Sequence, residues 1–349
     1  MKVSIEELKE LMANKLTQAG LQRDDAEIVA DVLAHADARG IFSHGAMRTE
    51  YYAERIAKGG ITVNPDKQFK QTGPGTAVLD ADNGVGHVAA KDAMTRAIEM
   101  ARENGTAIVG IRRMSHSGAM SYFVQQAAEA GMIGISMCQS DPMVVPFGGA
   151  EPYFGTNPIA FAAPGEGDDK IIFDMATSIQ AWGKILHARS KGESIPDTWA
   201  VDKDGVPTTN PFKVTGLLPI AGPKGYGLMM MVDILSGVLL GLPFGKHVSS
   251  MYHDLTAGRE LGQLHIVIDP GAFTSSDLFR ANISGMMKEL NEVKPAPGFD
   301  QVLYPGQNTT LQEQESLKNG VEIVDEILEY LRSDVVHNNQ YDHKDPFAK

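Results

Sequence analysis

The sequence holds a single cysteine, Cys138. It can close no intrachain disulfide and supports no cysteine-rich zinc site, so a reduced, cytoplasmic setting is the expectation. Basic residues are in deficit: Lys and Arg number 31 against 44 Asp and Glu, for a net charge of −13. Such a chain repels phosphate backbones, and nucleic acid is not expected as a partner. Metal motifs are missing as well. The 10 histidines form neither H-x-x-x-H nor H-E-x-x-H, and the pairs Asp80/Asp82 and Asp202/Asp204 lack the rest of a calcium loop. No metal is expected. There is no uninterrupted apolar run of membrane-spanning length. The longest stretch, Tyr226–Phe244, is broken by Asp233, Ser236 and internal glycines. It reads as a buried helix at a domain core or subunit interface, with no membrane partner. The N-terminus, Met1–Lys15, has a charged amphipathic pattern and does not read as a signal peptide. Internal repeats and low-complexity segments are absent.

What is abundant is glycine, 36 of 349 residues, about 10% against a usual share of about 7%. Glycine at this level suggests tight turns, or backbone brought close to a ligand. Hydrophobic residues at 43% and charged residues at 21% describe an ordinary globular chain, long enough for two domains or one large domain with an appendage.

Apolar spacing predicts two helices over residues 4–36 and a third over Ala46–Lys58, stopped by Gly59-Gly60. The Pro- and Gly-rich stretch 61–75 looks like a boundary. Strands are expected at Thr76–Asp80, Thr106–Ile111, Met132–Cys138, Ile159–Ala163, Ile171–Asp174 and Leu261–Asp269. Helices are expected at Val88–Asn104, Gly118–Ala130, Ala181–Arg189, Ser275–Glu292 and Gly320–Ser333. Residues 193–221 read as loop, and the polar tail beyond Asp334 as a segment that wraps over a neighbour or frays.

Gly84, Gly86 and Ala89 fit G-x-G-x-x-A between a strand and a helix, the setting of a dinucleotide fingerprint. The context fails. The next strand closes on Arg112-Arg113 where an acidic residue is required, and the first strand runs into Asp80 and Asp82. A plain strand-to-helix turn is the better reading.

Four other clusters carry chemistry. In Ser43-His44-Gly45 with Arg48 and Tyr52, the last two share a helical face, and His44 joins them if the helix begins there. A guanidinium beside an imidazole makes a carboxylate site with a proton acceptor; a helix cap with a surface arginine fits the same residues. Ser115-His116-Ser117 follows an apolar strand, where α/β folds place active groups, although His116 could merely cap a helix. Asp141 in Gln139-Ser140-Asp141-Pro142 could orient a histidine, or cap a turn. Gly222-Pro223-Lys224-Gly225 opens the apolar helix and offers an anion site at a helix N-terminus, or a glycine turn with a solvated lysine.

The segments ADARGIFSHG (36–45) with Arg48, RRMSHSGAMSYF (112–123), SDPMVVPFGG (140–149), FGTNPIAF (154–161), FDMATS (173–178) and GPKGYGL (222–228) together resemble the type 2 malate/L-lactate dehydrogenase family, over the whole chain. The resemblance implies an α/β fold: helical N- and C-terminal parts packed together, plus a separate non-Rossmann nucleotide-binding domain on a largely antiparallel sheet. The implied divisions are 1–72, 73–257 for NAD binding, and 258–349 packing back on the N-terminal part. It implies an NAD(P)-dependent oxidation of a 2-hydroxy acid, with NAD as cofactor, a small-molecule substrate and a homodimer. His116 would be the proton acceptor with Asp141 as its partner, though the family leaves His44 open for that role. Ser43, Arg48 and Tyr52 would lie on the substrate side. Ser140, Asp174, Met175, Ala176, Lys224, Gly306, Gln307 and Asn308 would contact the dinucleotide. The segments YYAERIAKGG (51–60), SIPDTWAVDKDGVPTT (194–209) and PAPGFDQVLYPGQN (295–308) are closest to the branch whose substrate is a ureido-substituted 2-hydroxy acid in ureide breakdown. A sibling enzyme acting on malate, lactate, a sugar-derived 2-oxo acid or a cyclic imine is the alternative, and a non-catalytic binding protein the reading from another class.

Overall fold

A computed structural model describes residues 2–342. The chain opens with a short strand β1 (Lys2–Val3), helices α1 (Ile5–Gln18) and α2 (Arg23–Ala38), two 3-10 turns, and α3 (Thr49–Ala57). Ser4 caps α1 by accepting the Glu7 N–H at 3.1 Å, an arrangement that stabilises a helix start by about 1 kcal/mol. Leu8, Met12 and Leu16 of α1 and Val29 and Leu33 of α2 are buried in one cluster with Tyr51, Tyr52, Leu328 and Leu331. Buried Lys15 ties this unit to the distant chain end by donating to the carbonyls of Ser333 and Val335 at 2.6 and 2.8 Å.

The middle of the chain forms β2 (Gln68–Gly73), β3 (Thr76–Asp80), α4 (Gly86–Asn104), β4 (Thr106–Met114), α5 (Ser121–Glu129), β5 (Ile133–Cys138), β6 (Ile159–Pro164), β7 (Lys170–Met175), α6 (Trp182–Lys191), β8 (Ala200–Val201), β9 (Gly216–Leu217) and α7 (Pro223–Ser236). After these come β10 (Leu261–Ile268), α8 (Ser276–Glu292), α9 (Gln307–Asn319), β11 (Val321–Glu322) and α10 (Asp325–Arg332). The main sheet has seven strands in the order β2-β3-β4-β10-β5-β6-β7. Only β3 and β4 pair in parallel, joined by the crossover helix α4; the other pairs are antiparallel. The sheet is therefore largely antiparallel, as expected. β10 lies at its centre, so the chain beyond residue 258 supplies a core strand before β11 and α10 return to the N-terminal helices.

Several local expectations need correction. The strand from Thr106 runs to Met114, because Arg112 and Arg113 are neutralised by Asp80 across the β3–β4 pair. β2 lies within the stretch expected to be a boundary; its exposed polar edge hides the alternation that marks a strand. Gly320–Ser333 is not one helix: a short strand occupies 321–322 and α10 starts at Asp325. The polar helix α9 was not foreseen, since QNTTLQEQESLKN has too few apolar residues to show a period. Tyr226–Phe244 is not a buried helix throughout. α7 ends at Ser236, and Met230, Met231, Ile234, Val238 and Leu239 are exposed. No helix among the described residues is long and apolar enough to cross a membrane. The tail residues Asn338, Gln340 and Tyr341 bond Glu50 and Glu54 of α3 in the same chain, while His343 lies outside the described residues.

Candidate active site

After α2 the chain makes a 3-10 turn at Phe42–His44, breaks at Gly45, and makes a second at Ala46–Arg48 before α3. The break has a cause. Asp37 accepts the Ala46 N–H at 2.7 Å, and a Cβ on Gly45 would overlap the Asp37 carboxylate. His44 therefore does not share a helical face with Arg48, as the spacing suggested. Arg48 reaches back instead: Nε donates to the Ser43 carbonyl at 2.8 Å and Nη1 to the Tyr252 hydroxyl at 2.9 Å. The remaining N–H groups on Nη1 and Nη2 make a fork suited to a carboxylate. The Ser43 hydroxyl lies 3.0 Å from His44 Nδ1.

His116 enters from the other side, just past β4. Its Nδ1 is 2.6 Å from the Tyr52 hydroxyl and accepts a longer bond, 3.3 Å, from the Gly118 N–H. The His44 and His116 rings stack with centroids 5.8 Å apart. Burial holds His116 well below the ordinary histidine range, helped by His44, His87, Arg48 and Arg259. Burial and then Arg48 push His44 down to about 4. Both imidazoles are neutral near pH 7. Burial raises the Tyr52 hydroxyl, which stays protonated. The ionic groups gathered around these rings include Arg48, Arg55, Arg259 and Asp141.

Asp141 is not the partner of His116. Its carboxylate accepts from Arg259 Nη2 at 2.6 Å and from the Met251 N–H. A buried guanidinium attracts a carboxylate more strongly than a neutral imidazole does, and Arg259 is almost wholly buried. The residue that shares a proton with His116 is Tyr52, which the sequence reading put on the substrate side. Arg259 itself was missed. It stands in a turn before β10 with no motif around it, so nothing local marks it. Arg55 of α3 was missed for the same reason; it is buried and donates to the Ala257 and Met251 carbonyls, clamping the loop that carries Tyr252.

The second group of expected residues lies on other strand and helix ends. Ser140, adjacent to Asp141, bonds Thr156 and Asn157 at 3.1 and 3.3 Å. Asp174 and Met175 end β7, and Ala176 follows. The Asp174 carboxylate accepts the Ser121 N–H at 2.9 Å and so caps α5. Gly306 caps α9 with φ of 85°, and a Cβ there would lie 1.6 Å from the Ile172 carbonyl. Only glycine permits this approach, which sets Gly306, at the start of the α9 segment with Gln307 and Asn308, against the middle of β7 at Ile172. Lys224 is exposed in the first turn of α7. The loop before it joins the same region through the Ile220 N–H, which donates to Thr177 at 2.9 Å. α7 and α9 share one property: each has glycine at its N-cap and no side chain bonded to its first-turn N–H groups. Two such helix starts suit an anion such as a pyrophosphate. The residues present therefore fit a dinucleotide. Among the described residues no cluster of three or more His, Cys, Asp or Glu could hold a metal ion.

A family model described as malate/L-lactate dehydrogenase matches residues 3–332. The chain is 65% identical over 349 residues to a ureidoglycolate dehydrogenase (NAD(+)) of Escherichia coli (strain K12), covering 100% of both. It is 39% identical over 341 residues to a malate dehydrogenase of Pyrococcus abyssi, covering 95% of this chain and 93% of that one. Among solved structures, a sulfolactate dehydrogenase from Methanocaldococcus jannaschii superposes with a TM-score of 0.89 at 36% identity, covering 96% of each chain.

Proposed function

The chain belongs to the malate/L-lactate dehydrogenase family, and on that premise we propose that it oxidises (S)-ureidoglycolate to oxalurate with NAD⁺, in the catabolism of allantoin-derived ureides. The observation that carries the reading is a part-buried site in which Arg48 keeps N–H groups open for a carboxylate and acts electrostatically on the stacked neutral histidines His116 and His44. The full-length relative at 65% identity supports ureidoglycolate over malate or sulfolactate as the substrate.

NAD⁺, when bound, supplies the hydride acceptor. The starts of α7 and α9, with Lys224, Gly306, Gln307 and Asn308, would hold it together with Ser140, Asp174, Met175 and Ala176. Arg48 binds the substrate carboxylate through its remaining N–H groups and fixes the hydroxyl-bearing carbon. His116 takes the hydroxyl proton at Nε2. That role requires the tautomer in which Nδ1–H donates to the Tyr52 oxygen; the Gly118 N–H favours the other tautomer, and a hydroxyl can serve both because it donates and accepts. The bound carboxylate also offsets the Arg48 charge, removing one of the forces that depress His116. Asp141 and Arg259 hold the loop on which Tyr252 steers Arg48.

A homodimer and a cytoplasmic setting belong to the same proposal. The exposed apolar side chains of α7 and the turn after it support the first, and the single cysteine supports the second. The test of function is spectrophotometric. Purified protein with NAD⁺ and (S)-ureidoglycolate should generate NADH absorbance. Turnover of malate or sulfolactate without turnover of ureidoglycolate would reassign the substrate within the family.

A further inference from the structure

The glycine motif that fails as a dinucleotide fingerprint has another use in this fold. Gly86 starts α4, and its N–H donates to Ser115 Oγ at 2.9 Å. A Cβ on Gly86 would lie 2.1 Å from the Ser115 carbonyl oxygen and 2.6 Å from that of His116. The segment is thus pressed against the backbone that carries His116. The next residue, His87, is 0% exposed, and neither ring nitrogen has a hydrogen-bond partner. Native interiors rarely leave such groups unsatisfied, and each instance asks for a reason.

The reason lies in what the ring touches. The His87 and Tyr52 rings make a T-shaped contact, with centroids 4.8 Å apart and planes at 83°. It also fills the space beside Gly118, where a Cβ would come within 3.0 Å of His87 Nε2 and 3.2 Å of Cδ2. Tyr52 and Gly118 are the two groups that bond His116 Nδ1. We propose that His87 is a positioning residue: one ring backs both partners of His116 Nδ1, and thereby sets the orientation of His116. The inference rests on the reading that His116 is the proton acceptor.

Charge supports this role. Burial, and then His44, push His87 down to about 3, and a cation at the start of α4 would oppose the helix dipole. His87 therefore stays neutral and lends shape and polarisability without competing for the proton. The charged and titratable groups facing His116 are Tyr52 on α3, Arg48 and His44 in the turns before it, His87 on α4 and Arg259 before β10.

The test compares His87→Ala, His87→Leu and His87→Phe in the full-length protein, with NAD⁺ and ureidoglycolate. His87→Phe keeps the flat edge and should stay within about threefold of the parent kcat. His87→Ala should lose about tenfold or more in kcat, because the proton acceptor is displaced, with KM for NAD⁺ unchanged. The acidic limb of its kcat–pH profile should move. In a Tyr52→Phe background the same change should cost much less, since the two act through one bond. His87→Leu fills the volume without the flat edge; it carries the same test where His87→Ala yields no folded protein, and should resemble it in kcat. An unchanged kcat and pH limb in both His87→Ala and His87→Leu, with His116→Gln inactive, would overturn the role of His87 alone. Full turnover by His116→Gln would instead overturn the assignment on which it rests.

Discussion

The Tyr52 hydroxyl lies 2.6 Å from Nδ1 of His116, and this pair replaces the carboxylate–histidine pair that the sequence suggested. A phenol kept protonated by burial can orient an imidazole without adding charge to the site. Tyr52→Phe should therefore lower kcat by about 10- to 100-fold through misplacement of His116, while leaving KM for NAD⁺ near the parent value. Steady-state kinetics with each substrate varied in turn check this.

Arg48 is steered by Ser43 and Tyr252. Arg48→Ala should raise KM for the hydroxy acid by about 10- to 100-fold, the equivalent of losing a charge-assisted bond of about 1.5–3 kcal/mol. Arg48→Lys should recover little, because a point charge cannot reproduce the fork. Tyr252→Phe should show a smaller effect of the same kind.

Asp141 and Arg259 form a buried ion pair. Asp141→Asn leaves the guanidinium uncompensated, and should destabilise the protein by about 3–5 kcal/mol. Denaturant unfolding measures this. Asp141→Leu combined with Arg259→Leu removes both charges and should be more stable than either single change.

Burial raises the Asp37 carboxyl to about 7, against the Ala46 N–H bond that lowers it. The folded value is above the unfolded one, so folding takes up a proton between about pH 4 and pH 7. The parent protein consequently loses stability from this group as pH rises through that range. Asp37→Asn keeps an acceptor for the Ala46 N–H and has no charge to bury. Its Tm should match the parent near pH 4, exceed it by a growing margin up to about pH 7, and keep that margin above it. A margin independent of pH would contradict the shift.

The fold was largely legible because its core elements are strongly patterned. Thr76–Asp80 is a strand with the predicted bounds, and α1 and α2 follow their apolar spacing. α9 and β2 were not legible, since polar and exposed elements leave no periodic mark. In the site, the structure brings His44, Tyr52 and His116 together from separate motifs, but their pairing depended on tertiary structure. Nothing near Asp141 in sequence announces Arg259, which is 118 residues away. Glycine shows the same limit. Gly86 matters for its closeness to His116 and not for a phosphate, which only the packing of α4 against the end of β4 reveals.

The most direct test of the account compares kcat for His116→Ala and His44→Ala with NAD⁺ and (S)-ureidoglycolate at saturation. His116→Ala should lose about 10²–10⁴-fold, the usual cost of removing a positioned general base, and His44→Ala should lose less. Full turnover by His116→Ala, with loss confined to His44→Ala, would contradict the account and make His44 the proton acceptor.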